Sequence, residues 1–166
     1  MSNERTAQII GRRFQECLGN EDNYRVSIPD SSNAFKWRVI IIGQKGTLIE
    51  GGQFPAEIRF PSNFPFAPPT MKFLCPMFHP NIRDDGDVCI SILHPAGDDQ
   101  YGYEKSEERW RPGLSMHSVF MSVQWMLDQP NPESPHNVEA AKVFRNNKDE
   151  YIRRVKMTVE NSIKYV

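Results

Sequence analysis

From residue 3 to residue 18, apolar side chains return every three or four positions, at Ala7, Ile10, Phe14, Cys17 and Leu18. That spacing predicts a helix burying those residues, with Arg5, Arg12 and Arg13 mostly on its other face. The period then changes. Phe54, Ala56, Ile58 and Phe60 recur at every second position with Glu57 and Arg59 between, the pattern of a strand with one buried face. Tyr24 to Ile28, Phe35 to Ile42 and Met71 to Leu74 are rich in β-branched and aromatic residues and predict three more strands. Short connections between them favour an antiparallel meander over crossovers. Lys45-Gly46-Thr47 and Gly51-Gly52 mark the turn between the second and third strands.

The helical period resumes after residue 115. Ser115 is a good N-cap for a helix over Met116 to Gln129, with Met116, Val119, Phe120, Val123 and Leu127 on one face. Pro130, Pro132 and Pro135 stop it and form a rigid strap. Asn137 caps a short helix to about Arg145. The last helix runs from Lys148 to Tyr165 with Tyr151, Ile152, Val155, Val159 and Ile163 inward. The predicted fold is α+β: an N-terminal helix, a four-stranded antiparallel sheet and three C-terminal helices, in a single domain spanning 1–166.

Two stretches carry no simple period. Pro61 to Pro69 is dense in proline, so it cannot enter a sheet interior and predicts a surface strap. Phe64 and Phe66 on it are either packing anchors or a patch facing a partner. Residues 94–109 are rich in Gly, Pro and acids and predict a long loop, a length that is usually functional or disordered.

The chemistry lies at 79–93. Pro80 fixes its own φ and biases His79 away from helix, while Asp84-Asp85-Gly86-Asp87 is a turn. Cys89 follows where an ordered loop meets an apolar run, fixed yet reachable. Asp84, Asp85 and Asp87 oppose the thiolate against Arg83 alone, so the thiol pKa stays near or above its usual value of about 8.5. Such a thiol is ill suited to attack an unactivated amide. It remains suited to exchange onto an acyl group already held as a thioester. The Asn81 amide could donate to the oxyanion formed there. Cys89 alone is more often a small core residue, and a zinc site from His79, Cys89 and His94 lacks any Cys-x-x-Cys pair. A hydrolase would need a base such as His94 and a third group to orient it, and none is evident.

His79-Pro80-Asn81-Ile82 followed by Gly86-x-Val88-Cys89 resembles the active-site signature of ubiquitin-conjugating enzymes, and the likeness runs from the first helix to the last. The resemblance implies that Cys89 accepts ubiquitin as a thioester from the activating enzyme, and that Asn81 supports attack by a lysine. His79 reads as structural. Phe64-Pro65-Phe66-x-Pro68-Pro69 matches a family motif in which the Phe66 position meets the ligase and the Phe64 position is structural. Pro112 of Trp110-Arg111-Pro112 and the helix residues Arg5 and Arg12 would share that surface. Gly11 departs from the leucine- and lysine-rich pattern usual in the family's first helix. Ser134 occupies a gating position where many members carry Asp. An insertion at about 94–109 resembles the subclass with an acidic loop, some of whose members work with membrane-anchored RING ligases in endoplasmic-reticulum quality control. Asp98 and Asp99 would there attract the acceptor lysine or gate access to Cys89. No metal, nucleotide or other cofactor is implied. A conjugating enzyme for another ubiquitin-like modifier, or an inactive docking relative, is the alternative.

Composition narrows the setting. Across 166 residues the chain is 39% hydrophobic and 25% charged with net charge −1, a globular profile that gives no bulk attraction to nucleic acid. No apolar run approaches the roughly 20 residues that span a bilayer, and Met1 to Arg5 lack a signal peptide's apolar core. Cys17, Cys75 and Cys89 are an odd, sparse set that suits a reducing compartment. A cytoplasmic monomer is expected, recruited to the endoplasmic-reticulum face or to the nucleus. Eight acids and one base between Asp84 and Glu108 make that side acidic, whereas seven bases and three acids from Lys142 onward make the C-terminal helix basic.

Overall fold

Ser2 accepts the Arg5 backbone N–H at 3.3 Å and so caps α1, Asn3–Cys17. The helix buries Ile10 and Cys17, with the Phe14 ring edge-on to Trp37 at 5.3 Å. It stops one residue short of expectation: Leu18 has extended dihedrals, so its side chain turns out to solvent rather than onto the core. At the helix's other end Thr6 is fully buried, its one hydroxyl proton shared between the Ser2 and Ser62 carbonyls at 3.2 Å each. A computed structural model describes residues 2–97 and 105–166.

The sheet is the expected meander, ordered β1 (Tyr24–Ser27), β2 (Lys36–Ile42), β3 (Gln53–Arg59) and β4 (Thr70–Phe73), all antiparallel. Trp37, Val39 and Ile41 of β2 face the core with Phe54, Ala56 and Ile58 of β3 and Met71 and Phe73 of β4. Against them lies α2 (Met116–Asp128), capped by Ser115 as its sequence predicts. Val119, Phe120, Val123 and Leu127 of α2 are buried. Gln124 is buried too, its Nε2 donating to Ile42 O at 2.8 Å and Asn23 O at 3.2 Å. A polar side chain in that position is satisfied by carbonyls at the end of the sheet, which fixes the helix's height on it.

Two further helices close the chain, α3 (Val138–Asn146) and α4 (Lys148–Ser162), capped by Asn137 and Asn147. Tyr151 and Val155 face inward from α4, but the chain tightens into a 3-10 turn at Ile163–Tyr165. That change of pitch exposes Ile163, expected inside, and buries Ser162, whose Oγ accepts the Gln53 N–H at 3.0 Å. No helix among the described residues is long and apolar enough to cross a membrane.

Candidate active site

Beyond β4 the chain builds a small hairpin on the sheet's open edge. Ile82 and Val88 form an antiparallel bridge, Arg83 N–H donates to Asp87 O, and Cys89 N–H donates to Asn81 O at 3.0 Å. The hairpin docks on β4 through Val88 N–H to Met71 O and Phe73 N–H to Gly86 O. Gly86 makes this approach possible: its φ is +95°, and a Cβ there would lie 2.3 Å from Phe73 O. Cys89 thus leaves a hydrogen-bonded ladder, half-buried, just before the 3-10 turn Ser91–Leu93.

His79 locks the hairpin's base. It is 2% exposed, and its Nε2–H donates to Met126 O at 2.6 Å while Nδ1 accepts the Asn81 N–H at 3.0 Å. Those two partners require the neutral ring, and burial lowers the pKa from 6.5 to about 4. Both ring nitrogens are engaged, so neither is open to a metal.

Asn81, 4% exposed, is used completely. Its Nδ2 donates to Asn131 O at 2.8 Å and Ser134 O at 3.3 Å, and its Oδ1 accepts the Asn131 N–H at 2.8 Å. The amide therefore faces the strap after α2, not an open site above the sulfur. An oxyanion at Cys89 would have to compete with those carbonyls for the Asn81 donors. Pro80 O accepts from His136 and Asn137, so the strap and the hairpin hold each other.

Hairpin, strap and α2 enclose a cleft of about 640 Å³ whose lining includes Cys89, Asn81, Ser134, His94, Glu108 and Trp125. Trp125 stands on α2 with 69% of its surface exposed, an apolar wall beside the thiol. Burial is the largest influence on Cys89 and pushes its pKa up. The acidic neighbours expected to do so, Asp87 and Asp85, act after it and against Arg83. The sulfur lies 3.9 Å from Asp87 Oδ2.

The second group of sequence-selected residues gathers elsewhere. Phe66 is 63% exposed, whereas Phe64 is fully buried between Phe60 and Trp110 at centroid distances of 4.8 and 5.8 Å. Trp110 Nε1–H donates to Pro65 O at 2.7 Å, tying the segment of exposed Pro112 to the proline strap. Arg5 and Arg12 project from α1 into solvent. Arg13, beside them on the same helix, reaches across to donate to Pro112 O at 2.9 Å. Asn131 and Trp125 were not picked out by sequence. Only the exposed aromatic on an otherwise buried helix offered any signal. Asp98 and Asp99 lie outside the described residues.

The family model for ubiquitin-conjugating enzymes matches residues 12–159. The chain is 44% identical to ubiquitin-conjugating enzyme E2 15 of Schizosaccharomyces pombe over all of both chains. It is 46% identical to ubiquitin-conjugating enzyme E2 G2 of Homo sapiens, over 81% of each. A crystal structure of a Plasmodium yoelii protein assigned as a ubiquitin conjugating enzyme superposes with a TM-score of 0.78, at 28% identity and 93% of each chain. With its catalytic-type hairpin and cleft carried on this shared architecture, the chain belongs to the ubiquitin-conjugating enzyme family.

Proposed function

We propose that Cys89 is the residue on which this enzyme carries ubiquitin, received from the activating enzyme and passed on to a lysine with a ligase. The observation that carries the reading is the placement of Cys89: a half-buried thiol at the mouth of an open cleft, on a hairpin pinned by His79 and Asn81. The acyl group arrives activated, so the thiol needs no neighbouring base. A raised pKa keeps it protonated and unreactive between charges. In the transfer step an amine attacks the thioester carbonyl, the C–S bond breaks and Cys89 is regenerated.

Asn81 acts by holding the strap and hairpin in register around the thioester, and Ser134 gates the cleft beside them. Phe66, Pro112 and the α1 residues Arg5 and Arg12 form the ligase face, with a RING-type ligase as partner. Eight acids against one base between Asp84 and Glu108 support the further assignment to the acidic-loop subclass serving membrane-anchored ligases of protein quality control at the endoplasmic reticulum. In that reading the enzyme is a cytosolic monomer, and Asp98 and Asp99 draw acceptor lysines toward Cys89.

The test is charging. Protein, ubiquitin, activating enzyme and ATP-Mg are mixed, and a thiol-labile adduct is expected on the wild type. Cys89→Ser should give a thiol-resistant ester or nothing. A labile adduct persisting in Cys89→Ser would move the carrier to Cys17 or Cys75. No adduct with any protein would move the reading to another modifier or to a docking role.

A further inference from the structure

Asp87 stands beside the Cys89 sulfur. Its Oδ2 lies 3.9 Å from Cys89 Sγ, and its side chain is neither buried nor free. The backbone fixes it from several sides: Asp87 N–H donates to Asp85 Oδ1, Asp87 O accepts from Arg83, and the residue bridges to Lys72 of β4. A carboxylate held beside the sulfur weakens the thiolate, so it does not serve the charging step. Its use must lie elsewhere or nowhere.

We propose that Asp87 is the acceptor-binding residue of the discharge step, pairing with the ammonium of the attacking lysine beside the Cys89 thioester, and that Arg83 is the resident cation the lysine displaces. The inference rests on Cys89 being the ubiquitin carrier. A thioester carbonyl carbon is one bond from Sγ, and a reacting amine approaches that carbon to about 3–3.5 Å. An amine that attacks from the Asp87 side of the thioester comes within hydrogen-bonding reach of that carboxylate, 3.9 Å from the sulfur. Arg83 Nη1 stands 3.8 Å from the same Oδ2, with its side chain more than half exposed. That contact is long and solvated, the kind that yields readily to another cation.

The step balances without a co-reactant. The bound ammonium releases one proton to solvent before attack. The amine nitrogen then forms the bond to carbon, the C–S bond breaks, and the nitrogen's second proton passes to the departing sulfur. The products are an isopeptide, the Cys89 thiol and one proton. A thiol whose pKa is raised takes that proton back readily.

The experiment is single-turnover discharge of the preformed ubiquitin adduct, with free lysine and with hydroxylamine as nucleophiles. Lysine is cationic at pH 7 and hydroxylamine is neutral, so only the first should use Asp87. Asp87→Asn keeps the shape and the backbone ladder. It is expected to charge no more slowly than wild type, since the lost carboxylate disfavoured the thiolate, to raise the lysine concentration for half-maximal discharge about tenfold, the scale of one charge-assisted contact, and not to slow discharge to hydroxylamine. Equal effects on both nucleophiles, or none on lysine, overturn the proposal. Should Asp87→Asn fail to charge, Arg83→Gln decides: with the competing cation gone the half-saturating lysine concentration must fall, and an unchanged value rejects the assignment. Failure of the wild type itself to charge would reject the carrier role of Cys89, which is a different result.

Discussion

His79 can hold the hairpin only while its ring is neutral. Protonating Nδ1 would set it against the Asn81 N–H, and burial opposes the charge as well. The folded pKa of about 4 lies below the ordinary 6.5. Between those values the unfolded chain takes up a proton that the folded chain refuses, so stability is full above pH 6.5 and lost as pH falls toward 4. A displacement of that size corresponds to about 3 kcal/mol. His79→Asn keeps an acceptor for the Asn81 N–H and removes the titrating ring. Urea unfolding from pH 8 to pH 4 should show the wild type losing more stability than the variant, although the variant starts lower by about 1–3 kcal/mol for the lost bond to Met126 O. Parallel curves would mean that His79 does not control the acid limit. The sequence reading of His79 as structural came from the family signature it shares. Its partner Met126 was not legible in the sequence, because the two meet only once α2 has packed.

At the scale of elements, the proline-rich strap after α2 is held chiefly by one side chain. Asn81 makes three hydrogen bonds to it, and Arg145 adds one to Pro132 O. Asn81→Ala leaves those strap groups to water, and a net loss of about 1–3 kcal/mol is expected. Backbone exchange at Asn131 should speed up, with lysine discharge slowing in step. If discharge slows while Asn131 stays protected, Asn81 acts on the reacting atoms directly and not through the strap. Elements themselves were readable from their period: Phe54, Ala56 and Ile58 of β3 are buried as expected, with Pro55 buried between them, and the caps Ser115 and Asn137 stand where the sequence puts them. Errors fell at ends. Leu18 and Ile163 continue their helical spacings in sequence, but the chain leaves the α-helix just before each, and spacing carries no sign of that. The strap's attachment was equally hidden, since Asn81 and Asn131 are 50 residues apart.

Across the whole molecule, the segment between His94 and Trp110 leaves and rejoins the frame at two residues that are already bonded to each other. Trp110 N–H donates to His94 O at 3.0 Å, so the two ends of the loop meet in a backbone hydrogen bond. Beyond that bond Trp110 is fully buried and tied to Pro65, which anchors the returning chain to the core. Deleting residues 98–108 leaves Pro95, Ala96, Gly97 and Arg109 to join the bonded pair. Loop-closure cost grows only with the logarithm of length, by about 0.6 kcal/mol per doubling, so shortening should change stability by about 1 kcal/mol or less. The deletion removes five acids and one base, a net four of the seven negative charges between Asp84 and Glu108. Thermal unfolding within a few degrees of wild type and unaltered charging are therefore expected. If the loop steers lysine, discharge at low ionic strength should slow and should fall less steeply with added salt than in the wild type. Restoring the loop with Asp98→Asn and Asp99→Asn separates its charge from its bulk. If that protein discharges like wild type at low salt, the pair does not steer lysine. Capture would then fall to Asp87, the carboxylate already beside the sulfur.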